Sequence, residues 1–191
     1  MRVNKLFILV GESGCGKSTL EREIANKGLA KRAISTTTRK PRSYEVDMVD
    51  YYFINEVAFN TYLKQGAFAE YSQYTTVNGL ASYGIMKGHL NLKNNKYICV
   101  VNPHGMRQLK ESLGEENVVT IHVKRDDRSR VISALQRDNS DFGKVLDEAT
   151  RRFKADQIDF KNIDEEVDYI LYNDGSLEES LNILESLIKS Y

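Results

Sequence analysis

The chain has 191 residues, 41% hydrophobic and 28% charged, enough for one globular domain with a substantial core and unlike a disordered chain. Lys plus Arg and Asp plus Glu both number 27, and this balance argues against a general affinity for nucleic acid or anionic membrane. The two cysteines, Cys15 and Cys99, belong to no CxxC or metal-type cluster, which points to a reducing, cytoplasmic compartment.

In chain order, "KLFILV" (5–10) reads as a buried strand. It is far too short to cross a bilayer or to form the core of a secretory signal. A helix follows over 17–28. Residues 32–85 then behave differently, with short β-like pieces ("YYFI", "AFAEYSQYTTV") and one short helix around 55–65. This stretch reads as a small lobe inserted after the first β-α unit. "KYICVV" (96–101), "NVVTIHV" (117–123) and "VDYILYN" (167–173) are further apolar runs bounded by turns. Helical patterns cover 104–113, 127–137, 145–162 and 176–189. Strands alternating with helices predict an α/β fold, a three-layer α/β/α core around a parallel sheet. The domain organisation expected is one unit over 1–191, with a core of 1–31 and 86–191 and the lobe at about 32–85.

Between the first strand and the first helix lies "GESGCGKST". Gly11, Gly16, Lys17 and Ser18 fit G-x-x-x-x-G-K-[ST] without a mismatch. Such glycines let a loop wrap so tightly that several backbone N–H groups point at one phosphate chain, and the helix start adds its positive dipole end. Lys17 can reach the β/γ-phosphates of a nucleoside triphosphate, and the Ser18 hydroxyl can hold Mg²⁺. The expected triphosphate site is thus Gly11, Glu12, Ser13, Gly14, Cys15, Gly16, Lys17, Ser18 and Thr19. A chance glycine-rich turn is the bland alternative. The loop alone does not separate ATPases, GTPases and small-molecule kinases.

Residues 31–42 hold five basic residues and no acid. Arg39 and Arg42 bracket Lys40 and Pro41; the proline stiffens the segment and lowers the entropy lost in aiming two guanidinium forks at one anion. Hydroxyls at Ser35, Thr36, Thr37 and Thr38 can serve the same anion or a polar base. Alone, this could be a solvated basic loop; downstream of a phosphate loop it reads as a second phosphate site.

At this point the chain resembles the guanylate kinases. The pattern S-x-T-T-R-x-P-R-x-x-E-V-x-x-x-D-Y is carried by Ser35, Thr37, Thr38, Arg39, Pro41, Arg42, Glu45, Val46, Asp50 and Tyr51. Weaker likeness continues through "GAFAEYSQY" (66–74), "SYG" (82–84), "HGMRQLK" (104–110) and "DYILYND" (168–174). The resemblance implies transfer of the γ-phosphoryl group of ATP to GMP or dGMP with Mg²⁺, by a protein with a phosphate-loop core, an acceptor lobe and a helical lid at about 130–155. It implies nucleotides as partners, with no nucleic acid or membrane, and a monomer or homodimer. By position, Arg39, Arg42, Tyr51 and Tyr83 would hold the acceptor phosphate, with Ser35 and Glu70 on the guanine. A carboxylate can accept from guanine N1–H and the 2-amino group together, and the wrong base would strand it, a discrimination of roughly 10⁴. Lid arginines would stabilise the moving phosphoryl group, Arg137 and Arg152 matching best among Arg130, Arg137, Arg151 and Arg152. Asn173 would lie near the adenine of ATP; as a plain strand-end residue it would only form a turn.

Three departures cluster around the acceptor. The family's "D-x-Q-G" is "NPHG" here, placing Asn102, also an expected acceptor residue, where an acid usually stands. "N-Y-Y-G-[ST]" is "ASYGI", with Ile85 in place of a hydroxyl. "TTVNGL" (75–80) adds residues, and its "NG" favours a tight hairpin. Other readings stay open at this point: a kinase of the same scaffold acting on a deoxynucleotide or a phosphorylated sugar, a non-catalytic guanylate-kinase-like interaction module, and a phosphate-loop GTPase or ATPase switch.

Overall fold

All five side chains of "LFILV" are buried, and the strand they form, β1 (Leu6–Val10), runs through the middle of a five-stranded sheet. The computed structural model describes residues 4–42, 45–76, 79–136 and 142–191, with the backbone alone at 75, 76 and 144. β1 is flanked by β7 (Tyr97–Val100) and β8 (Val118–Lys124); β2 (Lys31–Arg32) and β9 (Tyr169–Tyr172) form the edges, in the order β2-β7-β1-β8-β9, with every pairing parallel. Alternation along β1 sends side chains to two cores. Phe7 and Leu9 pack with Leu20 and Ile24 of α1 (Lys17–Asn26) and with Leu181, Leu184 and Ile188 of α6 (Leu177–Ser190). Leu6, Ile8 and Val10 pack with Met106 and Leu109 of α3 (Pro103–Leu113). The α/β/α layering expected from the apolar runs is therefore observed. It arises because a strand buried on both faces must be covered on both.

Helix starts follow capping chemistry. Asn102 accepts the N–H of Gly105 ahead of Pro103, and Asp126 accepts that of Ser129 ahead of α4 (Asp127–Leu135). Ser176 and Glu179 form a reciprocal capping box at α6. The long helix α5 (Phe142–Asp159) begins three residues earlier than the sequence pattern suggests and gives way to a 3₁₀ turn at Ile163–Glu165.

A second sheet is built from β3 (Thr36–Thr37), β4 (Tyr52–Phe53), β5 (Phe68–Thr76) and β6 (Gly79–Met86), ordered β4-β3-β6-β5. It is mixed: β3 and β4 are parallel, the other pairs antiparallel. The helix α2 (Glu56–Lys64) covers it through Phe59, stacked on Phe68 at 4.5 Å. β5 and β6 form the expected hairpin, with Thr76 paired to Gly79; residues 77 and 78, and with them half of the "NG" pair, lie outside the described residues. This sheet is bolted to α3. The Gln108 amide accepts the Tyr71 N–H (3.0 Å) and donates to the Tyr71 carbonyl (2.9 Å), completing the outer edge of β5 as another strand would. Among the described residues, no helix is long and apolar enough to cross a membrane.

Candidate active site

β1 ends at Val10 and α1 starts at Lys17, so the glycine loop sits at the carboxyl edge of the parallel sheet, where α/β folds bind ligands. β7 is the next strand, and Asn102 with the start of α3 follows it at the same edge. The loop and the α3 N-terminus are thus neighbours by topology.

Within the loop, the Lys17 ammonium donates to the carbonyls of Gly11 (2.5 Å) and Glu12 (2.8 Å) and lies 3.4 Å from Cys15 Sγ. Ser18 is exposed one residue into α1. Gly16 has φ +95°, a left-handed value that suits glycine, and a Cβ there would collide with the Asn173 amide nitrogen. That amide donates to the Cys15 carbonyl at 2.8 Å, and Asn173 Oδ1 accepts from the Ser180 hydroxyl at 2.7 Å. Both ends of the buried Asn173 amide are thus engaged with the loop and α6, and the residue braces the loop from beneath. Glu12 faces His122 (3.3 Å to Nε2), whose Nδ1 lies 2.6 Å from Asp164. Partial burial alone would raise the Glu12 carboxyl, but His122, its own backbone and Arg130 bring it below its ordinary value.

The basic segment forms a second cluster. Arg39 offers its fork to Glu45 (2.9 and 2.7 Å) and its Nε to the Tyr83 hydroxyl (3.1 Å). Its guanidinium lies 5.4 Å from the centroid of Tyr51, which in turn meets Tyr83 edge-on at 6.0 Å. Arg42 shares Glu45, through its backbone N–H at 2.7 Å and its guanidinium at 3.6 Å. Partial burial works against ionisation of Glu45, yet these arginine contacts hold its carboxyl below the usual range. Ser35 precedes β3, its carbonyl accepting the Tyr52 N–H where β3 meets β4.

Glu70 is 4% exposed and accepts the backbone N–H of Ile85 at 2.9 Å. Burial raises its carboxyl to about 7, against the lowering effect of that N–H. Its other oxygen lies 2.9 Å from where a Cβ on Gly105 would stand, so a side chain there would push the Glu70 carboxylate away from the first turn of α3. The Gly105 N–H is taken by Asn102 Oδ1 at 2.7 Å, and Asn102 Nδ2 donates to the Tyr74 hydroxyl, also at 2.7 Å. Tyr74 meets Tyr83 at 5.8 Å, closing a chain of contacts from Arg39 to Glu70. Ile85 is fully buried with Met106 and Leu109 in the core between the parallel sheet and α3. It contributes its backbone to Glu70 and its side chain to packing.

Of the arginines expected in a lid, Arg152 on α5 donates to Glu148 at 2.7 Å beside Arg151, and the two arginines, Arg151 foremost, bring the Glu148 carboxyl down to about 2. Arg137 lies outside the described residues. Arg130 points inward toward the loop.

The family model described as guanylate kinase matches residues 3–191. The chain belongs to the guanylate kinase family. A guanylate kinase of Mycoplasma genitalium is 30% identical over 195 residues, covering 97% of this chain and 75% of that protein. One of Fusobacterium nucleatum is 27% identical, covering 100% and 98%. The crystal structure of guanylate kinase from Anaplasma phagocytophilum, 21% identical, superposes with a TM-score of 0.72 over 98% of this chain and 86% of that one, which establishes a shared fold.

In this guanylate kinase family member the motif residues Arg39, Tyr51, Tyr83, Glu70 and Asn102 are linked by contacts, and the loop residues surround Lys17. Sequence reasoning missed what holds them. Glu45 clamps both arginines and was legible only as one letter of the motif. Gly105 admits Glu70 to the α3 N-terminus, which no local pattern signals.

Proposed function

We propose that this chain is an ATP-dependent guanylate kinase, moving the γ-phosphoryl group of ATP to GMP or dGMP and yielding ADP and GDP. The observation that carries this reading is the pairing of a complete phosphate loop with a second cluster of arginines and tyrosines ending in a buried carboxylate. Water as acceptor would need no such second cluster.

The loop N–H groups and the α1 dipole would cradle the ATP phosphates, and Lys17 would exchange its loop carbonyls for β/γ oxygens. Arg39, Arg42, Tyr51 and Tyr83 would hold the phosphate of GMP, the fork of Arg39 already aimed by Glu45. Glu70 and Ser35 would read the guanine, the Glu70 carboxylate accepting from N1–H and the 2-amino group. An acceptor phosphate oxygen then attacks the γ-phosphorus as the bond to the β–γ bridging oxygen breaks. The protein's part is to align the two anions and neutralise charge, with Arg152 and Arg137 as candidate lid groups.

Mg²⁺ fits the donor set: Ser18 offers a hard, exposed oxygen one residue past Lys17, and among the described residues no cluster of three acidic, histidine or cysteine side chains competes for a metal. Bound with ATP, the ion would supply charge neutralisation on the β- and γ-phosphates. A cytoplasmic setting is supported by Cys15 and Cys99, both free and buried.

An acceptor screen at fixed ATP, reading ADP release with GMP, dGMP, AMP and phosphorylated sugars, tests the proposal. ADP release dependent on GMP or dGMP is expected. Release only with a phosphorylated sugar, or none with any acceptor, would reject it.

A further inference from the structure

We propose that Arg130 and Asp156 are positioning residues for the phosphate loop, gripping both backbone groups of Ser13 and so setting the path of residues 11–16. The inference rests on the ATP reading given above and deepens it.

The Ser13 carbonyl accepts from Arg130 Nε at 3.1 Å. The Ser13 N–H donates to Asp156 Oδ2 at 2.8 Å, and the same oxygen accepts from Arg130 Nη2 at 3.0 Å. Three groups from the loop, α4 and α5 therefore form a closed ring of hydrogen bonds. The remaining nitrogen, Nη1, donates to Asp127 at 2.7 Å and lies 3.8 Å from Glu12 Oε1. The guanidinium also stands 5.5 Å from the Phe153 ring centroid, a cation–π contact tying α4 to α5.

The side chain of Arg130 is only 6% exposed. A charge that deep is tolerated when its donors are satisfied, and removing one partner strands the rest. Here the partners are loop backbone and two carboxylates beside it, so any relaxation is transmitted to the loop. The Ser13 N–H, aimed at Asp156, is one loop amide that the phosphate chain does not use. What the grip gives instead is orientation of the amides that follow, on which a phosphate cradle depends.

The test uses the whole chain with ATP and GMP, measuring both KM values, kcat, and direct binding of a non-hydrolysable ATP analogue. Asp156→Ala and Arg130→Ala are expected to raise the KM for ATP about tenfold or more, with the KM for GMP within about twofold of the parent. Asp156→Asn keeps an oxygen able to take both bonds and should restore most of the ATP affinity. Arg130→Lys keeps the charge but cannot span Ser13 and Asp156, and should fall between. A purely stabilising role would lower the melting temperature yet leave both KM values of the folded variants at the parent's. That result, or a rise in both KM values in step, overturns the proposal. Should the alanine variants not fold, Arg130→Lys and Asp156→Asn decide by hydrogen exchange of the peptide spanning 11–16. Faster exchange in the lysine variant than in the asparagine variant is expected, and equal protection in both overturns it. A parent chain that neither binds nor turns over ATP overturns the function reading and this proposal together, whereas an active parent with unaffected variants overturns this one alone.

Discussion

The carboxylate of Glu70 accepts the backbone N–H of Ile85, its cross-strand partner in the β5–β6 ladder, at 2.9 Å. Burial sets this carboxyl to about 7. Guanine N1–H and the 2-amino group can both be accepted, one on each oxygen, only by the ionised form, since the protonated acid turns one oxygen into a donor. GMP binding therefore releases a proton below about pH 7, and kcat/KM for GMP is expected to rise with pH to about 7 and then level. The KM for ATP should stay flat across the same range. Profiles of both substrates check this; a GMP profile that is flat through neutrality removes Glu70 from base recognition.

The same burial costs stability. Because the folded-state value is raised above the ordinary 4.5, the protein binds an extra proton on folding, and that stability is fully present below about pH 4.5 and lost as pH rises through 7. Glu70→Gln cannot ionise but can still accept the Ile85 N–H. It should be more stable than the parent at alkaline pH by about 1–3 kcal/mol, the gain vanishing in mild acid. GMP turnover should fall at least about a hundredfold while ATP affinity holds. Denaturant melts at two pH values, alongside the kinetics, measure both halves.

Lys17→Ala should abolish turnover with every acceptor, by about a thousandfold or more. Among the described residues its ammonium donates to two loop carbonyls and the Cys15 sulfur, so the melting temperature should barely move. Retained activity would remove the loop lysine from the mechanism.

Gly16→Ala places a Cβ against the Asn173 amide at a positive φ. We expect a loss of about 1–3 kcal/mol and weaker ATP binding. Asn173→Ala removes the obstacle and the brace together. In a double-mutant cycle, the double variant should therefore lose less than the sum of the two single losses. Full additivity would mean that Asn173 does not bear on the loop.

Arg39→Lys keeps the charge but cannot bond Glu45 bidentately while reaching Tyr83. The KM for GMP should rise about tenfold, with that for ATP unchanged. An equal rise for both substrates would place Arg39 outside the acceptor site.

The sequence alone determined the glycine loop between strand and helix, the parallel core and the basic segment proposed to take the acceptor. Each is written in local terms: glycines between strand and helix, apolar runs buried on both faces, and arginines spaced by a proline within one short stretch. Tertiary structure decided what those parts rest on. Glu70 meets Gly105 across two elements, Glu45 turns back onto Arg39 and Arg42, and Asn173 reaches Cys15 from the far end of the chain. Arg130 reads in sequence as one of four candidate lid arginines and not as a support of the loop, because its partners at Ser13 and Asp156 stand 117 and 26 residues away. Whether such a cation faces solvent, ligand or backbone depends on which carboxylates the fold brings within hydrogen-bonding distance, and no spacing along the chain encodes that.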